Sequence, residues 1–222
     1  MKTTFLSRSL GVARKDWLAE RRAQSGLAST GLFALVTLAV LSFSVGPFGA
    51  GAELQAALLW IILLFSGLSG LSRVYIREVD SRTAPHLKLL AGPLETLIGK
   101  TLFNLWLLVL VELMVVPLFL VLMAPKVRDF PVLLATLALA DIGLVSVSTL
   151  LAAVVAQART RGALFSGLAI PVLIPLLLAA IGGTKAAFGV TPDARTHLVM
   201  LASLDAVLVG VSVFLIEPVW NE

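Results

Sequence analysis

Six long stretches of this chain carry almost no charge, and they constrain its fold more than any other feature. The stretches are residues 23–52, 54–72, 101–125, 130–158, 162–184 and 197–216. A helix of roughly 20 apolar residues crosses the hydrocarbon core of a bilayer, so each stretch is long enough to do so. The stretches are apolar on all faces and lack the two-residue alternation of a membrane β-barrel. The sequence therefore predicts an all-α integral membrane protein with six transmembrane helices.

The composition supports a single membrane domain that covers residues 1–222. Hydrophobic residues make up 59% of the chain and charged residues 14%, whereas ordinary soluble domains contain about 25% charged residues. Little sequence remains for a soluble module once the spans are assigned. The predicted spans lie near residues 28–46, 54–74, 97–124, 131–157, 162–182 and 197–217.

Positive charge is concentrated on one side of the predicted spans. Of the 17 lysine and arginine residues, all but four fall in the N-terminal segment or in loops on the same side of the membrane. The exceptions are Lys126, Arg128, Lys185 and Arg195. Because cytoplasmic loops carry an excess of Lys and Arg, both termini are expected in the cytoplasm. The net charge of +4 then reflects topology and contact with lipid headgroups, and no nucleic-acid partner is expected.

The segment before the first span, residues 1–27, contains a pattern typical of an amphipathic helix. Over residues 5–22, one helix face holds Leu6, Leu10, Ala13 and Trp17, and the opposite face holds Arg8, Lys15 and Arg22. Such a helix suits the membrane interface, with Trp17 buried and the cations among lipid phosphates. The alternative is a solvated basic tail that only sets the topology.

The loop between the second and third predicted spans, residues 73–96, mixes both charge signs with leucines. The residues that carry this pattern are Arg77, Glu78, Asp80, Arg82, Leu87, Leu89 and Leu90. A short helix with mixed charge and an apolar edge suits insertion into a groove of a partner protein. We therefore expect this coupling loop to bind a cytoplasmic partner. The alternative is a solvated amphipathic loop on the membrane surface.

Three carboxylates interrupt the predicted spans: Glu112, Asp141 and Asp205. A charged acid inside a bilayer is costly, so each is expected to face a partner, face a cavity or carry a proton. Glu112 and Asp141 lie at similar distances from the outer ends of their spans, which predicts a similar depth. They form either interhelical hydrogen bonds, the interpretation we favour, or a path for protons or cations.

Other distinctive residues have structural explanations. Pro171 and Pro175, one helical turn apart, predict a kink or break in the fifth span. Lys100 follows a glycine as in a phosphate-binding loop, but Leu94 stands where that motif needs its first glycine. We therefore expect Lys100 to extend to the membrane interface instead.

Histidine is too scarce to predict a metal site. The two histidines, His86 and His197, fall on opposite sides of the predicted membrane, whereas a metal ion usually needs several convergent ligands. A single haem axial ligand at His197 is the alternative, because haem needs only one or two protein ligands. The chain has no cysteine, which excludes disulfides and thiolate ligands.

Several segments, taken in order, resemble the heme exporter protein B family. They are ARKDWLAERR at Ala13–Arg22, ALLWIILLFSGLSGLSR at Ala57–Arg73, Glu78, Leu89–Leu90, Pro93, Gly99–Lys100 with Asn104, and then VELMVVP, IPVLIP, SLDAVL and FLIEPVWNE. Each segment alone is generic membrane sequence. The ordered set covers nearly the whole chain, and it carries the resemblance.

The resemblance implies a six-helix permease of the ABC-2 export type in a bacterial inner membrane. It implies a cytoplasmic ATPase dimer that binds ATP, a second copy of the permease, a haem-handling membrane subunit and a haem chaperone. The permease itself would be non-catalytic and would couple ATP hydrolysis to haem delivery or to release of the haem-loaded chaperone. Because the four tryptophans are scattered along the sequence, haem contact is assigned to a partner and no cofactor to this chain.

Two other functions fit the sequence. One is an ABC-2 permease for another cargo, such as a lipid or a glycan. The other is a proton-coupled secondary transporter that uses Glu112, Asp141 and Asp205. A neighbouring gene for an ATPase, beside cytochrome c assembly genes, would distinguish the first function from both of these.

Overall fold

The computed structural model describes residues 4–23, 25–46, 49–71, 73–81, 83–156 and 161–221. In this part of the chain all regular secondary structure is α-helical. The helices are α1 (Phe5–Ala23), α2 (Ser25–Val45), α3 (Ala52–Leu71), α4 (Arg73–Asp80), α5 (Ala84–Leu90), α6 (Pro93–Met123), α7 (Phe130–Ala156), α8 (Arg161–Ala187) and α9 (Ala194–Asn221).

Six of these helices, α2, α3 and α6 to α9, are long and apolar enough to cross a membrane. Each corresponds to one predicted span, so the prediction of an all-α membrane protein with six transmembrane helices is confirmed. The physical reason is that lipid offers no hydrogen bonds, and a helix satisfies its backbone groups within itself. The two short helices, α4 and α5, form the coupling loop between α3 and α6.

The core of the bundle centres on α7, which packs against α8 and α9 and also contacts α3 and α6. The indole N–H of Trp60 in α3 donates to Thr184 Oγ1 in α8 at 2.8 Å. Phe119 of α6 and Phe165 of α8 are buried in the same apolar core. Lipid is as apolar as these side chains, so close packing and interhelical hydrogen bonds hold the bundle together.

The two ends of the bundle differ. One end carries α1, α4, α5 and the start of α6, and we call it the basic end. At the opposite end, the Gln55 amide donates to the Met123 carbonyl oxygen at 2.8 Å. The Arg128 N–H donates to the Ala187 carbonyl oxygen there at 2.9 Å. These bonds join α3 to α6 and the loop before α7 to the end of α8. The two short helices of the described chain, α4 and α5, both lie at the basic end.

Of the kink or break predicted at Pro171 and Pro175, the break does not occur, and a kink stays a prediction. α8 is continuous from Arg161 to Ala187 and contains both prolines. Both side chains lie on the exposed face of the helix, where the proline ring does not disturb a packed neighbour. Membrane helices tolerate proline because local adjustments satisfy the freed backbone carbonyl groups. In α8 the two prolines therefore mark no unwound passage.

The predicted N-terminal helix forms as α1, but it packs against α6 by a different face. Its buried polar and apolar side chains are Ser9, Val12, Asp16 and Glu20. Leu6 and Leu10 are 68% and 58% exposed, so the predicted apolar face is not the face that packs within the chain. Hydrophobic periodicity identifies only apolar faces. It cannot reveal a polar face whose charges are paired and which is therefore buried. Contact of Leu6 and Leu10 with lipid stays a prediction.

Candidate functional site

The most unusual polar residue of the described chain is Lys100 of α6, because its side chain is fully buried, at 0% exposed. Its ammonium group donates to the Val74 carbonyl oxygen at 2.8 Å and to Asp16 Oδ2 at 3.1 Å. A third bond reaches Glu78 Oε1 at 3.2 Å. The Tyr75 ring centre lies 4.9 Å from the nitrogen, a distance typical of a cation–π contact. All three ammonium donors have acceptors, so the buried charge is satisfied.

Lys15, Asp16, Glu78, Thr83 and Lys100 together form what we call the Lys100 cluster. Lys15 of α1 makes ion pairs with Glu78 and, at 3.2 Å, with Asp16. Thr83 Oγ1 donates to Glu78 Oε2 at 2.6 Å. Burial opposes the charge on Lys15, but the two carboxylates outweigh this effect and hold the Lys15 pKa above its usual value. Two cations thus balance two carboxylates, and the cluster joins α1, α4, α6 and the start of α5.

The length of α6 places the Lys100 cluster at the membrane boundary. α6 has 31 residues, which is about 46 Å at 1.5 Å per residue. The hydrocarbon core is about 30 Å thick, so roughly ten residues of α6 extend beyond it. α1 covers this first part of α6: Arg8 pairs with Glu95 at 3.5 Å, and the Trp17 and Trp106 rings meet edge to face at 6.1 Å. The order of these contacts shows that α1 runs alongside the start of α6.

Gly99 allows α1 and α6 to approach this closely. A Cβ atom at position 99 would lie 2.6 Å from the Ser9 carbonyl oxygen and 2.7 Å from the Val12 Cβ. Both distances are far inside the roughly 3.5–4.0 Å of a favourable carbon contact. Small residues at helix contacts let backbones pack together in membrane proteins. Gly99 thereby brings Asp16 of α1 within reach of the lysine that follows it in α6.

The Lys100 cluster corrects three expectations. Lys100 does not extend to the membrane interface, because its ammonium group points into the cluster. Glu78 does not face a partner protein, because it is 6% exposed and both of its carboxylate oxygens are bound within the chain. Lys15 pairs with carboxylates rather than with lipid phosphates. Asp16 and Thr83 were not predicted as site residues. An aspartate within a basic helix was the available signal for Asp16, and Thr83 offered none.

α5 presents the exposed apolar part of the coupling loop. Leu89 is 85% exposed and Leu90 is 74% exposed, and we call this pair the docking edge. Lys88 beside it is exposed as well. Adjacent exposed leucines rimmed by charge suit contact with a partner protein or with the membrane surface. The docking edge agrees with the predicted role of these two leucines, which stays a prediction.

The remaining residues predicted for coupling have different environments. Leu87 is buried, so the expectation that it anchors a partner is wrong; its place on α5 faces the bundle while the next two leucines face away. Asp80 is exposed at the end of α4. The side chain of Arg77 and the whole of Arg82 lie outside the described residues. Contact of Asp80 and the two arginines with a partner stays a prediction.

α5 is held against the C-terminal end of α9. Lys88 Nζ donates to the Trp220 carbonyl oxygen at 2.5 Å and lies 5.4 Å from the centre of the Trp220 ring. Leu87 packs in a small cluster with Val12 of α1, and Trp220 packs against that cluster. A cavity of about 280 Å³ lies behind α5 and is lined by Tyr75, among others. α5 is thus held by a few side-chain contacts and lies over a cavity.

The intramembrane carboxylates occupy two separate places. The Glu112 and Asp141 side chains face each other between α6 and α7, close enough to interact, so they lie at one depth. Two such carboxyl groups can share a hydrogen bond only when one of them carries a proton. Asp205 of α9 is buried and lies against the backbone of Gly143 in α7. The first pair therefore joins α6 to α7, and Asp205 belongs to the contact between α7 and α9.

Histidine and acidic residues do not gather at one place in the described ranges. No group of three or more His, Cys, Asp or Glu side chains there is arranged to hold a metal ion. His86 lies on α5 at the basic end, and His197 lies on the first turn of α9 at the opposite end. The His197 ring packs over Gly182 of α8. A role of His197 as a haem ligand stays an untested alternative.

Known proteins resemble this chain over nearly its whole length. A family profile described as CcmB protein matches residues 7–218, from α1 to α9. A relative named Heme exporter protein B, from Pseudomonas aeruginosa, is 28% identical over 210 residues, which cover 94% of this chain and 93% of the relative. A second protein of that name, from Paracoccus denitrificans, is 27% identical over 203 residues, which cover 90% of this chain and 92% of the relative.

Proposed function

Because this chain belongs to the CcmB protein family, we propose that it is the permease subunit of an ABC-type haem exporter for c-type cytochrome biogenesis. The observation that carries this proposal is the family match over residues 7–218. The names of both relatives, Heme exporter protein B, support the haem pathway. The six apolar helices supply a membrane part, and the docking edge offers a surface for a separate ATPase.

The complex that we propose contains two copies of this chain on an ATPase dimer. The basic end faces the cytoplasm of a bacterial inner membrane, because cytoplasmic loops carry the excess of Lys and Arg. ATP is bound and hydrolysed by the ATPase, and this chain is not catalytic. A haem-handling membrane subunit and a haem chaperone complete the assembly, and they make the contacts with haem. The permease couples ATP hydrolysis to haem delivery or to release of the loaded chaperone.

Two structural features support a coupling path from α5 to α6. The docking edge fits a groove of the ATPase, since exposed leucines on a short helix suit such a groove. Thr83 at the start of α5 then bonds to Glu78 at 2.6 Å, and Glu78 bonds to Lys100 of α6 at 3.2 Å. A displacement of α5 by the ATPase is transmitted through these bonds to α6. Because the cluster also holds α1, that helix moves with the coupling loop.

The double substitution Leu89→Ser and Leu90→Ser tests this function. We expect recovery of the ATPase with the purified permease to fall at least tenfold, because interface anchors typically contribute about 2 kcal/mol or more. The yield of c-type cytochromes should fall with it. Abundance of the permease should not change, since both side chains are largely exposed within the chain.

The matched control is Leu54→Ser in the first turn of α3, an exposed leucine (49%) at the opposite end of the bundle. This variant should retain the ATPase and the wild-type yield of cytochrome. Wild-type recovery of the ATPase with the double variant would refute the docking edge. A wild-type yield of c-type cytochromes in a strain without this gene would refute the proposed function itself.

Substitution of Glu112 distinguishes this function from proton-coupled transport. Glu112→Gln should retain most of the cytochrome yield, because an amide can still hydrogen-bond to Asp141 but cannot titrate. Glu112→Leu removes the bond and should lower the stability by about 1 kcal/mol, measured by thermal unfolding in detergent. Complete loss of cytochrome maturation in Glu112→Gln at normal protein abundance would favour the proton-coupled mechanism instead.

A further inference from the structure

A groove of about 580 Å³ lies between α2 and α6, where the end of α1 closes it at one side. Its walls are mostly carbon, with Ala28 and Gly31 of α2 forming the recessed floor opposite Leu110 and Met114 of α6. We propose that this groove binds an anionic phospholipid, with one acyl chain between α2 and α6 and the phosphate at Arg21 of α1.

The dimensions of the groove match one leaflet of a bilayer. The lining residues of α2 extend from Leu27 to Leu35, and those of α6 from Trp106 to Met114. Each run rises about 12 Å at 1.5 Å per residue, close to half of the roughly 30 Å hydrocarbon core. Both helices lead away from the basic end, so the groove starts near the headgroups and ends near the bilayer centre. A single acyl chain fills such a space.

The charge at the α1 end of the groove selects an anionic headgroup. The Arg21 guanidinium lies 4.6 Å from the centre of the Trp17 ring, which orients it at the mouth of the groove. Glu20 also lines the mouth, but its Oε1 accepts the N–H groups of Gly26 and Leu27 at 2.8 Å each. The positive end of the α2 dipole offsets that carboxylate. Arg21 therefore dominates the local field, and tryptophan beside arginine is typical of the headgroup level.

Arg21→Gln and Ala28→Trp test the two halves of this site separately. Native mass spectrometry of the purified full chain in detergent would measure retention of phosphatidylglycerol and of phosphatidylcholine. The wild type should retain phosphatidylglycerol preferentially. Arg21→Gln should reduce that preference about fivefold, the effect of one cation near an anionic surface. Ala28→Trp fills the groove from the exposed side of α2, so it should remove both bound lipids.

Arg195→Gln is the matched control, because it removes the same charge from an exposed arginine at the start of α9, at the opposite end of the bundle. It should keep the wild-type preference for phosphatidylglycerol. Equal losses in Arg21→Gln and Arg195→Gln would overturn the site, since the attraction would then be non-specific. Unchanged lipid retention in Ala28→Trp, with loss of permease dimers, would overturn it in favour of a second copy at this surface. Neither result depends on the ATPase or on haem.

Discussion

Replacing Lys100 with methionine is expected to lower the stability of the permease by about 3–5 kcal/mol, because it leaves two buried carboxylates with too little positive charge. Asp16 and Glu78 are 6% exposed each, and solvent cannot compensate for the lost ammonium group. Lys15 is partly exposed, at 45% of its side chain, and cannot take the place of a fully buried cation. Thermal unfolding in detergent and abundance in membranes would measure the loss.

A triple variant is the control for this substitution. Adding Asp16→Asn and Glu78→Gln to Lys100→Met removes the uncompensated charges and should recover at least half of the lost stability, because a neutral cluster avoids the cost of burying ions. A wild-type melting temperature for Lys100→Met alone would show that the lysine is not held in this cluster. Charge reversal at Glu78 addresses the same cluster, so Glu78→Lys should reduce abundance rather than only uncouple the ATPase.

Gly99→Val is the second substitution for which we expect a large effect. The new side chain would meet the Ser9 carbonyl oxygen and the Val12 side chain, since even a Cβ would lie 2.6–2.7 Å from them. Forcing α1 away from α6 should cost about 1–3 kcal/mol, as overpacking does in other cores. It should also separate Asp16 from its lysine and expose α1 to protease. Limited proteolysis after α1 would detect this in membranes.

The matched control is Gly210→Val in α9. A Cβ at position 210 would meet no atom within 4 Å, so the same change in side chain should leave stability and proteolysis unchanged. If Gly99→Val were as stable and as resistant to protease as Gly210→Val, the close packing of α1 on α6 would be refuted.

The sequence alone determined the membrane architecture. Uncharged stretches of about 20 residues have one stable form in lipid, the helix, because backbone groups cannot bond to solvent there. The helix in residues 5–22 was likewise predictable, since amphipathic spacing is visible within a few turns. The apolar residues of the coupling loop were visible too, but nothing in the sequence separates Leu87, which is buried, from the exposed Leu89 and Leu90. The spacing of Pro171 and Pro175 did not decide between a kink and a break, and the helix continues through both residues.

Only the tertiary structure decided which charges meet. Lys100 bonds to a carboxylate 84 residues earlier and to another 22 residues earlier, and no periodicity reports such pairings. A lone lysine near a membrane end can extend to the interface or be buried, and the choice depends on whether carboxylates from other helices surround it. Here Lys100 is buried, because the close approach of α1 at Gly99 brings Asp16 within hydrogen-bonding distance of it. The inward placement of Glu78 and the outward placement of Leu89 follow from the same packing.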